Sequence, residues 1–414
     1  MATVEEQERA GREDPRAMLV VLPTWVGDFV MATPALRALR DRFVRTHITF
    51  VLEPNLRDLV RGGDWMDDCV EWPTQDERAP YHRAFRDFVR ELRRRRFDWS
   101  VVMPNSFRAA LLTRLAGAKR RFGYNRDGRG FLLTDRVPVR NRRRRGRAAG
   151  LTPRGAPIGD ASSTGTGDGK AGTATSSGRP APTVASGKFT PTPLVEYFAD
   201  LVEAIGCDRP GDRLELFTSL HFDDMVEARL AGLGVEENQP LVVISPGAKY
   251  GAAKCWFPER FAGVADRLIE ATQAAVVITC GPGEEELGRT IGSSMKRTGF
   301  VFDAPLLGLG GLKSLIRRSD LLVCNDAGPR HFAKAFNVPV VTVFGPTDPE
   351  WTATRYARER IVRIDIECGP CQQRICPLGH LDCMGGVTVD AVFQAAVGLL
   401  HADAMAESRE SSGG

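Results

Sequence analysis

Short apolar runs rich in branched residues, such as LVVIS at 241–245 and AVVIT at 275–279, recur along the chain, and each is followed by a segment of helical period. Strands that are apolar at nearly every position must be covered on both faces, and their alternation with helices argues for parallel sheets with helices on either side. In the first half the pattern predicts strands at residues 18–22, 47–52 and 99–103, with helices at 34–43 and 81–95. In the second half it predicts strands at 241–245, 275–280, 320–324 and 338–344, with helices at 258–271 and 312–317. A chain of 414 residues, 43% of them hydrophobic, has the apolar material for two such domains.

Residues 141–188 break the pattern with Gly, Ser, Thr, Pro and Ala and no apolar period. Such a stretch cannot bury enough surface to offset its ordering entropy, so a disordered insertion is expected, as a spacer or a binding segment. The formal net charge is +4, with arginine clusters at 93–96 and 142–145, so an anionic partner would be met locally and nucleic-acid binding is not implied. The segment 81–92 places Tyr81, Ala84, Phe85, Phe88, Val89 and Leu92 on one stripe and arginines opposite. It reads as a helix packed on a sheet with a solvated basic face, or as a surface for anionic lipid or phosphate. No secretory signal is expected, and the apolar runs are too short to span a bilayer, leaving only a peripheral membrane role. Nine cysteines, many in core-like segments, suit a reducing compartment.

Chemistry concentrates where strands end, which is where doubly wound sheets bind ligands. After the first strand, Trp25-Val26-Gly27-Asp28 places a carboxylate at a helix entry, as an N-cap or as a group presented to a ligand. After residue 245, a loop holding Gly247, Lys249 and Lys254 runs to Pro258; it suits an anion, lacks the Walker spacing, and reads equally as a surface loop. After residue 324, Asn325-Asp326-Ala327-Gly328-Pro329-Arg330-His331 opens a helix whose first amides form a natural diphosphate cradle, to which His331 or Arg330 could add a charge-assisted bond. Glu284 and Glu285 follow the glycines of another strand end, a common helix entry and also a place for an acid that binds ribose hydroxyls.

In this order, the Gly27-Asp28 turn, the Lys254-x-Trp256-x-Pro258 segment and Gly328-Pro329-x-His331 resemble the family 9 glycosyltransferases, the bacterial lipopolysaccharide heptosyltransferases. Trp25-Val26-Gly27-Asp28 and Cys371-Gln372-Gln373-Arg374-x-Cys376-x-x-Gly379-His380 look nearest to the heptosyltransferase II branch. The resemblance covers about residues 18–131 and 194–401. It implies an α/β GT-B fold of two Rossmann-like domains facing across a cleft. An acceptor-binding domain at 18–193 and a nucleotide-sugar domain at 194–402 would be flanked by disordered tails at 1–17 and 403–414.

The resemblance also implies transfer of heptose from ADP-L-glycero-D-manno-heptose to the inner-core heptose of a lipid-anchored oligosaccharide, with inversion and with no cofactor. Inversion in one displacement needs a base on one side and stabilisation of the departing diphosphate on the other. By position, Asp28 matches the base, Lys254 and the amides around Ala327 and Gly328 match the diphosphate contacts, with Gly247 and His331 beside them, and Asp326 is expected near the donor. Glu284 or Glu285 would bind the ribose, the register between them being left open by the comparison with relatives. The implied setting is cytoplasmic, at the inner face of the inner membrane, with weak peripheral membrane contact. Cys368, Cys371, Cys376 and Cys383 are dense enough for a structural zinc site, with His380 as substitute ligand, or are free or redox-sensitive thiols. The alternatives are another family 9 or GT-B sugar-nucleotide enzyme with a different donor or acceptor, and a nucleotide-sugar-binding protein without catalysis.

Overall fold

The computed structural model describes residues 14–78, 82–139 and 191–411. The insertion at 141–188 and nearly all of the expected N-terminal tail lie outside the described residues. The first half runs β1 (Ala17–Val21), α1 (Val26–Arg42), β2 (His47–Leu52), β3 (Asp68–Glu71), α2 (Arg83–Arg94), β4 (Trp99–Val102), α3 (Phe107–Leu115), β5 (Arg120–Tyr124), β6 (Asp135–Val137) and α4 (Leu194–Ile205). The second runs α5 (Leu220–Gly232), β7 (Leu241–Ser245), α6 (Pro258–Thr272), β8 (Ala275–Thr279), α7 (Glu285–Ser294), β9 (Phe300–Phe302), α8 (Gly308–Arg318), β10 (Leu321–Asn325), α9 (Gly328–Ala335), β11 (Val340–Val343), β12 (Glu359–Val362) and α10 (Val389–Ser411).

Both sheets are parallel. The first has the order β3-β2-β1-β4-β5-β6 and the second β12-β11-β10-β7-β8-β9. Counted from its own first strand, each therefore has the doubly wound Rossmann order 3-2-1-4-5-6. The order reverses between β1 and β4 in one sheet and between β7 and β10 in the other, which creates two crevices at the strands' C-terminal ends.

The two-residue period of β1 divides its side chains between two layers. Met18 and Val20 pack with Phe29, Leu36 and Leu39 of α1, whereas Leu19 and Val21 pack with Phe88 and Leu92 of α2 and Ala110 and Leu112 of α3. In the second sheet β7, β8 and β10 are buried along their whole length. Strands missed in the sequence lie mainly at sheet edges: β3 and β12 are only partly buried and carry Asp68, Glu71, Glu359 and Arg360.

Helix α1 begins eight residues before the expected start because it tolerates Pro34 in its interior. A proline supplies no amide to the carbonyl one turn earlier. Here the Thr33 hydroxyl donates to the Val30 carbonyl instead, at 2.7 Å. The expected division at 193/194 assigns α4 to the second half, but α4 lies on the first, where the Tyr124 hydroxyl donates to the Tyr197 carbonyl and the Tyr124 and Tyr197 rings stack at 3.8 Å. The expected C-terminal tail is also shorter, since the backbone of α10 continues to Ser411.

Candidate active site

Asp28 is the third residue of α1 and not its cap. Trp25 occupies the cap position with extended backbone and no side-chain bond. The Asp28 carboxylate accepts no hydrogen bond from the described residues and is half-buried at the mouth of the β1 crevice. Burial pushes its pKa up to about 6, against the opposing pull of Lys254. A carboxylate tuned upward in this way is ionised at neutral pH and a better proton acceptor than an ordinary aspartate.

Lys254 reaches the same place from the second half. Its Nζ lies 2.5 Å from Asp326 Oδ2 and 3.2 Å from the Asp326 carbonyl, and it sits over the Tyr250 ring at 4.7 Å. Asp326 is buried and also accepts from Thr347 Oγ1 at 2.8 Å, while Arg330 Nη1 approaches its other oxygen at 3.5 Å. Its carboxylate is thereby committed to fixing Lys254. Asn325, the last residue of β10, receives the Trp256 amide at 3.2 Å and donates to the Pro246 carbonyl at 2.5 Å, so one buried side chain ties both ends of the lysine loop. The pattern of residue types showed neither Thr347 nor this role of Asn325, because each depends on a partner distant in the chain.

The helix entry expected after Asp326 is present. α9 starts at Gly328, Ala327 caps it with extended backbone and no side-chain bond, and Pro329 lies in its first turn. The first amides of α9 are thus left for another acceptor, and the helix dipole points the same way. Two expected cations are corrected by burial. Arg330 is fully buried, and its guanidinium is engaged by Glu359, Thr352 and Asp326. His331 is buried and its pKa is driven well below the ordinary value by desolvation and by Lys334, Arg330 and Lys254; it is a neutral ring whose Nδ1 has no partner.

The ring of His331 explains Gly27. A Cβ at residue 27 would stand 3.1 Å from His331 Cδ2, and a Cβ at Gly328 would stand 2.7 Å from Val26 Cγ1. The two glycine turns therefore pack on each other, one from each half, and bring the N-termini of α1 and α9 together. Two positive helix ends, Lys254 and Asp28 then surround one region.

Of the two acids after β8, Glu284 meets the lysine loop. A Cβ at Gly247 would fall 2.0 Å from Glu284 Oε2, which also accepts the Gly281 amide at 2.9 Å. Glu285 instead begins α7. The cysteine segment docks on the same loop: the Ala253 amide donates to the Arg374 carbonyl at 3.1 Å and Tyr250 Oη to the Gln372 carbonyl at 2.9 Å. Among the described residues no three His, Cys, Asp or Glu side chains converge to hold a metal ion. Cys383 is buried in the second core, whereas Cys368, Cys371 and Cys376 are only partly covered. Cys368 Sγ lies 4.0 Å from His380 Nε2, and His380 Nδ1 accepts the Asp382 amide at 2.9 Å.

Two Rossmann sheets with their switch-point loops in contact, one presenting a carboxylate and the other a lysine and an uncapped helix, form an α/β architecture of the GT-B kind. The profile of glycosyltransferase family 9 (heptosyltransferase) matches residues 85–146 and 190–382, more than half of the chain, and the protein belongs to that family. The lipopolysaccharide heptosyltransferase 2 of Escherichia coli is 24% identical over 354 residues, covering 84% of this chain and 88% of that protein. The lipooligosaccharide heptosyltransferase 2 of Campylobacter jejuni is 29% identical over 170 residues, so this match spans about half of that relative, 53% of its length. Among solved structures, a family 9 glycosyltransferase from Veillonella parvula has the same fold with a TM-score of 0.70 at 18% identity, covering 93% of this chain and 97% of that one. The E. coli ADP-heptose lipopolysaccharide heptosyltransferase II gives 0.68 at 21% identity, covering 94% and 99%.

Proposed function

We propose that this protein transfers heptose from ADP-L-glycero-D-manno-heptose to the inner-core heptose of a lipid-anchored lipopolysaccharide precursor, with inversion at the anomeric carbon. The observation that carries the reading is the meeting of Asp28 and Lys254 from opposite switch points. Asp28 takes the proton of the acceptor hydroxyl as that oxygen attacks, and ADP departs on the opposite face. Its growing charge is stabilised by Lys254 and by the amides of Ala327 and Gly328 at the start of α9. Asp326 serves through Lys254, which it holds in place. Glu284, beside Gly247, is the better placed acid for the ribose. The residues present supply base and charge stabilisation themselves.

An acceptor with a lipid anchor places the work at the cytoplasmic face of the inner membrane, by weak peripheral contact. No helix among the described residues is long and apolar enough to cross a membrane. Calorimetric titration with ADP-heptose, ADP, UDP and GDP tests the donor assignment, using wild-type protein and Lys254→Ala. Binding confined to the ADP ligands and weakened about tenfold or more by the substitution is expected. A preference for UDP or GDP would keep the family and overturn the donor.

A further inference from the structure

Phe107 and Phe131 are exposed to 45% and 62%, and their rings touch at a centroid distance of 5.9 Å. Phe107 opens α3 directly after β4, and Phe131 stands on the single turn Gly130–Leu132 after β5. Because β4 lies between β1 and β5, the pair occupies the same C-terminal edge of the first sheet as the Asp28 turn.

The two rings have a firm mount. Buried Arg129 donates to the carbonyls of Pro104, Tyr124 and Ser106 and to Asn105 Oδ1, tying the loop after β4 to the loop after β5. Ser106 caps α3 by accepting the Ala109 amide at 3.2 Å. Behind Phe107, Ala109, Ala110 and Leu112 of the same helix face the core. The exposed aromatics are thus held outward by an ordered frame.

Charge selects the partner. Arg108 adjoins Phe107 and makes no ion pair among the described residues, Arg126 stands beside Tyr197, and Asp127 is the acid between Arg126 and Gly128. The basic face of α2, the alternative lipid surface, keeps Arg86, Arg93 and Arg94 outside the ion pairs that Asp87 makes with Arg83 and Arg90 and that Arg95 makes with Asp68 and Glu91. It presents no exposed large apolar side chain to enter a bilayer, however, since Phe85, Phe88 and Leu92 are buried. Aromatic rings flanked by arginines suit the headgroup layer of an anionic bilayer, and so small an apolar area gives weak, reversible binding.

We propose that Phe107 and Phe131, with Arg108 and Arg126, dock the protein on an anionic lipid bilayer at the rim of the acceptor side of the site. The purpose of this contact rests on the lipid-anchored acceptor proposed above; its physical test does not. The full chain is sedimented with vesicles of phosphatidylcholine alone and of phosphatidylcholine mixed equally with phosphatidylglycerol, as wild type, Phe107→Ser/Phe131→Ser and Arg108→Gln.

Wild-type partition is expected to favour the anionic vesicles. The double variant should lose about tenfold of it, with melting temperature and ADP titration unchanged, and Arg108→Gln should lose mainly the salt-sensitive part. Equal partition of wild type and double variant would overturn the proposal. So would partition indifferent to phosphatidylglycerol, or no partition at all, which would leave the aromatic pair to a protein partner. Expected vesicle results from a protein that fails to bind ADP would sink the donor assignment and leave this surface standing.

Discussion

Asp28 illustrates a residue whose placement opposes its own stability. A carboxyl whose folded pKa is raised from 3.8 to about 6 contributes stability below the unfolded value and loses it as pH rises through about 6. Asp28→Asn should therefore raise the unfolding free energy at pH 8, by on the order of 1–2 kcal/mol after allowance for its remaining exposure, and leave it unchanged near pH 3, as read by urea unfolding. Turnover in the same variant should fall at least about a hundredfold, with ADP affinity retained. A wild-type rate that does not decline as pH drops through 6 would remove Asp28 as the base. The neighbouring Gly27→Ala should cost about 1 kcal/mol, because the added methyl group presses on His331, and should reduce turnover by more than that stability loss explains. Combining it with His331→Ala should restore part of the rate; strictly additive losses would show that the two residues do not act through their contact.

At the scale of elements, one buried network fixes α9 to the edge of the second sheet. Glu359 of β12 receives Arg330 on both oxygens and Lys334 Nζ at 2.8 Å, with Thr342 Oγ1 donating at 3.0 Å. Burial alone would raise the Glu359 carboxyl, but Arg330 and Lys334 hold it down at about 2. Its stabilisation is thus present above the ordinary pKa of 4.5 and is lost as pH falls toward 2. Glu359→Gln leaves two buried cations short of a partner and should cost about 3–5 kcal/mol in urea unfolding, with the deficit shrinking in acid. A loss below about 1 kcal/mol would mean that the network relaxes around water.

The same network marks where the sequence stops being readable. Fully buried strands such as β7, β8 and β10 announce themselves by apolar runs, and so do the turns that follow them, which is why Asp28, Lys254 and the Gly328 turn could be picked out. The edge strand β12 is spelled Glu-Arg-Ile-Val and resembles a surface segment until Arg330 and Lys334 are seen to need its glutamate. Pro34 hid the start of α1 because the compensating donor, Thr33, is visible only in three dimensions. The commitments of Asp326 and Asn325 were equally hidden, since their partners lie up to 79 residues away.

For the whole molecule, the connector between α4 and α5 is tied to α1 rather than left free. Thr33 Oγ1 accepts the Glu215 amide at 2.9 Å, and Glu215 Oε2 receives Arg37 Nε at 3.2 Å and Trp65 Nε1 at 3.1 Å. Phe217 packs against Trp65 at 5.3 Å. Glu215→Ala should speed amide exchange in residues 57–66 and in the connector, with little change in β7 or β8. Unaltered exchange there would show that apolar packing alone secures the connector.

Helix α1 therefore has four attachments: the first sheet and α4 along its length, α9 at its N-terminus and the connector halfway down. Its 17 residues form a rod about 25 Å long, with the proposed base at one end. A base mounted on such a member cannot be displaced while the frame around it survives. Inactivation by heat or denaturant should then coincide with the main cooperative transition instead of preceding it, so that for this enzyme residual activity serves as a faithful gauge of the folded fraction.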